Sequence, residues 1–149
     1  MQKLIEEMSN QEIEAIVESM ENYEEVEDAL EELIRRREEK SIAISKKIVE
    51  DKLGDIYLQA RVFELIYNED LRCAIELLDK NMDDLDSYVI ACALDCLSED
   101  SNIIDLMMVS GVVKKLLIKI DDIQTADTSI GNNIKESIEW FKNSYGTKV

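Results

Sequence analysis

The chain contains no proline in its 149 residues and only four glycines. Tight turns rely on those two residue types, and sheets rely on tight turns. Proline is also the residue that interrupts helices most strongly. Long stretches are thereby left free to coil, and the expected fold class is all-α. A hydrophobic content of 46% suffices for a core in a single domain of this length, and with aromatics at 5% that core must be built mainly of Ile, Leu, Val, Met and Ala.

Apolar periodicity divides the chain. Ser9 followed by Glu12 has the form of a capping box ahead of a stripe at Ile13, Ile16, Val17 and Met20. A second stripe, Tyr23, Val26, Leu30, Leu33 and Ile34, ends in Arg35, Arg36 and Arg37, where positive charge suits a helix C-terminus. Residues 1–40 thus read as a helical hairpin, and 41–145 as a body of further helices within the same single domain. Helices are expected over Ile42–Asp51 and Asp55–Tyr67, with Gly54 breaking between them, and over Asp70–Lys80 and Asp86–Leu97. The polar stretch Thr125–Asn133 reads as a loop, and Ile134, Ile138, Trp140 and Phe141 as a closing helix with Trp140 in the core.

The formal net charge is −17, from 34 acids and 17 bases. Such a surface repels nucleic acid and anionic membranes as direct ligands, and it attracts and steers a basic protein. The charge is concentrated at the start, because residues 1–39 hold 14 acids and 4 bases. No basic, apolar leader is visible and no apolar run is long enough to span a bilayer. Cys73, Cys92 and Cys96 lie inside helical patterns, as reduced cysteines in a cytoplasmic protein would.

Little in the sequence points to catalysis. There is no histidine, which removes the commonest general base and metal ligand. Cys92 and Cys96, four residues apart, make a poor zinc set and are expected as small core residues. The four glycines are isolated from one another, so no phosphate-cradling loop is present. No enzyme activity, cofactor or metal is expected.

Two candidate binding faces remain. One is the run Glu24, Glu25, Glu27, Asp28, Glu31 and Glu32, six acids in nine residues without a base. Its like-charge pairs one turn apart cost about 0.2–0.5 kcal/mol each, offset in part by Glu31 with Arg35 and Glu32 with Arg36. The plain alternative is a solvated helix face. Reversing Glu24, Glu27, Asp28 and Glu31 is expected to weaken partner capture without unfolding the chain. The second face comes from an internal repeat. Asp55, Tyr57, Ala60 and Phe63 recur as Asp86, Tyr88, Ala91 and Leu94 at a constant offset of 31 residues. Both aspartates are placed to cap their helices. In this register Tyr57, Arg61, Glu64 and Asn68 share a side, matched by Tyr88, Cys92, Asp95 and Glu99. A tyrosine among carboxylates makes a rigid anchor with a polar rim, although the apolar neighbours of Tyr88 suggest a buried helix.

The stretch Asn102–Ile120, with Gly111, Val112, Val113, Leu116 and Leu117, resembles an armadillo repeat, in which two helices meet at a glycine. The resemblance extends loosely over residues 42–142 and implies a short right-handed, armadillo/HEAT-like array of helical hairpins, capped by the acidic N-terminal hairpin. Such arrays bind partners on an extended face. In size, charge, helical pattern and lack of catalytic residues the chain is also similar to the small acidic immunity proteins of bacterial contact-dependent inhibition and polymorphic toxin systems. That likeness implies a one-to-one complex with a basic cognate toxin domain, often a nuclease, whose active site is blocked. A helical-repeat adaptor and a nucleic-acid-mimicking inhibitor are the alternative readings.

Overall fold

The computed structural model describes residues 3–126 and 132–148. Among them the protein is all-α, with no strand: a 3-10 turn at Ile5–Glu7 leads into α1 (Asn10–Ser19), α2 (Tyr23–Arg35), α3 (Ser41–Glu50), α4 (Ile56–Glu69), α5 (Leu71–Asn81), α6 (Ser87–Glu99), α7 (Leu106–Ala126) and α8 (Asn132–Tyr145). No helix among the described residues is long and apolar enough to cross a membrane.

Local signals start and stop these helices. Ser9 and Glu12 form the expected capping box. Asn22, Asp55, Asp70 and Asp86 each accept a first-turn backbone N–H through the side chain. The ends of α2 and α3 close without glycine. Arg37 and Lys52 take left-handed backbone angles, φ 58° and 54°. The N–H groups of Lys52 and Leu53 then donate back to the carbonyls of Val49 and Ile48, and those of Arg37 and Glu38 to Ile34 and Leu33, the paired bonds of a Schellman closure.

The helices form two layers. In one, α2 packs on α4, α4 on α6 and α6 on α8; in the other, α3 packs on α5 and α5 on α7. Cross-helix partners keep step along the first layer. Tyr57 meets Tyr88 near the start of α4 and α6, the Cys92 thiol donates to the Ala60 carbonyl at 3.4 Å, and the Tyr67 hydroxyl donates to Asp100 at 2.8 Å near their ends. The two helices therefore run parallel and in register, as the 31-residue offset requires. Tyr145 likewise donates its buried hydroxyl to the Leu97 carbonyl, tying α8 to α6. A continuous apolar core joins the layers, from Ile13 and Leu30 through Phe63, Leu78 and Leu94 to Val113 and Phe141.

Two sequence expectations are corrected. Gly111 does not separate two helices; α7 runs through it from Leu106 to Ala126. Burial of Val109, Val112, Val113, Leu116 and Ile120 along one face outweighs the roughly 1 kcal/mol that a glycine costs a helix interior. Trp140 is not core but 45% exposed, on the flank of α8, while its neighbours Ile138 and Phe141 are buried. Of the loop over Thr125–Asn133, residues 127–131, with Ser129 and Gly131, lie outside the described residues.

The two glycines with described surroundings in the helical body predict opposite responses to alanine. A Cβ at Gly111 would meet nothing within 4 Å, so Gly111→Ala is expected to stabilise by about 1 kcal/mol. At Gly54, φ is +71° and a Cβ would lie 2.6 Å from Leu58 Cδ2, so Gly54→Ala is expected to destabilise by about 1 kcal/mol or more. Urea midpoints of the two variants check both signs; a destabilising Gly111→Ala would restore the glycine as a helix junction.

Candidate functional site

Parallel packing of α4, α6 and α8 leaves a cleft of about 720 Å³ along their shared face. Its floor includes Ala60, Ala91 and Ser137, one small buried residue from each helix. Tyr57 and Tyr88 stand together at one end, ring centroids 5.0 Å apart and planes inclined at 71°, an edge-to-face pair. Tyr57 is 63% exposed. Trp140 and Ile134 come from α8 on the other side. The carboxylates of Glu64, Asp95 and Glu136 complete the polar part of the lining.

Arg61 is the single cation among the described residues of the lining. It donates to Glu27 at 2.7 Å, to Glu31 at 2.6 Å and to Glu64 at 2.7 Å. The neighbouring carboxylates, Glu27 foremost, raise the guanidinium's affinity for its proton further. With its charge so matched, Arg61 leaves the cleft acidic on balance. Burial pushes the Asp95 carboxyl above its ordinary value, against a smaller opposing effect of a hydrogen bond with Ser137. Hydrogen bonding with Cys92 and desolvation hold the Cys96 thiol far above the normal thiol range, which keeps it protonated at neutral pH, and both cysteines are half-buried at the core's margin.

The structure gathers Tyr57, Arg61, Glu64, Tyr88, Cys92 and Asp95 from the repeat register into this cleft. Tyr88 is half-buried rather than buried. Asn68 and Glu99 lie exposed farther along α4 and α6, outside the lining. The contribution of α8 was not anticipated, because the longer α7 shifts the equivalent of Ala91 to Ser137 and breaks the 31-residue offset. Continuing the small-residue column by helix order would have found it.

The acidic run on α2 is less open than its sequence suggests. Glu27 and Glu31 face Arg61. Glu32 is 6% exposed and bonds both Arg35 and Arg36, which hold its carboxyl down at about 2. Arg36 also donates to the carbonyls of Ile5, Glu6 and Met8, fixing the N-terminal turn on α2. Glu24, Glu25 and Asp28 remain on the exposed side. There Asp28 is raised by burial first, then by Glu31, Glu27, Glu24 and Glu25.

These shifts set a pH dependence. Glu32 and Glu12 are lowered, so their stabilisation is complete above their ordinary value of 4.5 and is lost as pH falls below it, for Glu32 down to about 2. Asp28 and Asp95 are raised, so their charged forms oppose folding at neutral pH and are relieved by protonation. Asp28 and Asp95 are therefore expected to add stability as pH falls toward their ordinary value of 3.8, and Glu32 to withdraw it as pH falls below 4.5 toward about 2. A melting temperature falling steadily from pH 7 downward would contradict this.

Comparison with protein-family models, curated proteins and solved structures gives no match for this chain. Fold and site together define an all-α stack of helical hairpins with an aromatic and acidic cleft across three helices of one layer.

Proposed function

We propose that the protein is a stoichiometric binding protein of the cytoplasm that captures a basic protein in the α4–α6–α8 cleft, acting as an immunity protein against a cognate toxin domain. The observation that carries this reading is the cleft's make-up: exposed aromatic anchors, three carboxylates and one charge-matched arginine. Aromatic anchors in a desolvated centre supply most of an interface's affinity. The acidic surroundings supply attraction at a distance and speed capture. Blocking a toxin's substrate groove needs no catalytic group from the inhibitor. A nucleic-acid-mimicking face is less well supported, since Glu27, Glu31 and Glu32 are tied to arginines of the same chain.

An immunity gene lies directly behind its toxin gene, so the test is co-expression with the toxic domain encoded upstream. Rescue of growth and a one-to-one complex are expected, with an association rate that falls tenfold or more between about 0.01 and 1 M salt. Absence of a toxin neighbour, with capture of a neutral housekeeping protein in this cleft, would replace immunity by an adaptor role.

Within that complex the acidic helix divides into two groups. Reversal of Glu24, Glu25 and Asp28 to lysine is expected to slow association by about tenfold with little change in stability. Reversal of Glu27 and Glu31 sets lysines against Arg61 and is expected to lower the melting temperature as well. Rapid-mixing kinetics beside thermal melts separates the two; unchanged association in the first variant would make that face a solvated surface.

A further inference from the structure

We propose that the cleft seats an arginine side chain of the partner, its guanidinium stacked on the aromatic wall and held by the Asp95 carboxylate. The inference rests on the reading of the cleft as a partner's seat, and it adds the chemistry of the group that enters. Three features favour this occupant.

The first is the pairing of aromatic rings with carboxylates. Tyr57, Tyr88 and Trp140 offer ring surface, while Asp95 and Glu136, which Arg61 does not engage, offer acceptors in the same cleft. A planar guanidinium uses both at once, by stacking through its face and donating through its edge. A lysine ammonium is more strongly hydrated and has no planar face to stack, so it gains less from the rings. The second is depth. Alanine, alanine and serine on the floor leave room for a long side chain with flanking backbone, whereas larger residues there would fill the cleft. The third is the state of Arg61. It already satisfies Glu27, Glu31 and Glu64 across two helices and so is anchored at the cleft wall rather than free to occupy its centre.

The test uses three blocked nonapeptides, uncharged apart from a central arginine, lysine or citrulline. Trp140 is the chain's one tryptophan, so its fluorescence reports the cleft directly. The arginine peptide is expected to change that emission saturably, the lysine peptide to bind at least about fivefold more weakly, and the neutral citrulline peptide not to saturate. Asp95→Asn is expected to weaken the arginine peptide about tenfold, and Glu18→Gln, an exposed acid on α1, to leave it unchanged. If Asp95→Asn fails to fold by circular dichroism, Trp140→Leu, which removes the ring face, is read by calorimetry in its place, with a loss of similar size expected. Equal binding of arginine and lysine peptides would overturn the proposal, reducing the cleft's preference to net charge. Indifference to both cleft substitutions would overturn it as well. Toxin capture that persists alongside either result would leave the partner-binding reading standing and remove only the arginine.

Discussion

Phe63→Ala is expected to cost about 3–5 kcal/mol of folding stability and to lower the melting temperature by roughly 6–20 °C. Phe63 is 0% exposed and sits in α4, the helix that packs against α2, α3, α5 and α6. The ring belongs to the continuous core and lies beside Tyr67, with ring centroids 6.4 Å apart. Its loss opens a void that neighbours on several helices would all have to close. A domain of this size is stable by only about 5–15 kcal/mol, so a large part of the total is at stake. Phe63→Leu keeps most of the volume and is expected to cost less than about 1.5 kcal/mol. Chemical denaturation of both variants measures the difference. A cost below about 1 kcal/mol for the alanine variant would mean that the layers do not share this core.

Trp140→Ala and Tyr57→Ala are expected to do the reverse, sparing the fold while disabling capture. Both side chains are largely outside the core, so each change should alter stability by no more than about 1 kcal/mol, including the Tyr57–Tyr88 ring contact. Each removes an aromatic anchor from the centre of the proposed interface, and Kd for the captured partner is expected to rise about 30-fold or more. Calorimetric titration of the two variants against the same partner gives the answer. Wild-type affinity in both would move the interface away from the cleft, and sensitivity to Glu24, Glu25 and Asp28 alone would place it on α2.

The signals that were readable in the sequence are local or repeated. Asp55 and Asp86 announce helix starts because a capping carboxylate acts within one turn. Tyr57 and Tyr88 could be aligned because α4 and α6 are separated by a single intervening helix of ordinary length. Gly111 misled because a glycine's helical cost is small beside the burial of Val112, Val113 and Leu116, and sequence pattern does not weigh one against the other. Trp140 was placed in the core because apolar periodicity locates a stripe but not the flank that borders a neighbouring helix. For Glu27 and Glu31, partners were sought one turn away on the same helix, whereas the observed partner, Arg61, comes from α4. A pairing across some 30 residues becomes visible only when α2 and α4 are set side by side within their layer.

The left-handed caps at Arg37 and Lys52 bear on how freely such a protein can change. A side chain at such a position costs about 1 kcal/mol relative to glycine, part of which the more flexible unfolded chain takes back. Both positions stand outside the residues that line the cleft. A lineage adapting its cleft to an altered partner will meet substitutions that help recognition and harm folding. Glycine at Lys52 or Arg37 would restore part of the lost stability without touching recognition. The strained helix ends thus give the molecule mutational tolerance, with the sites that set its robustness separate from the sites that set its choice of partner.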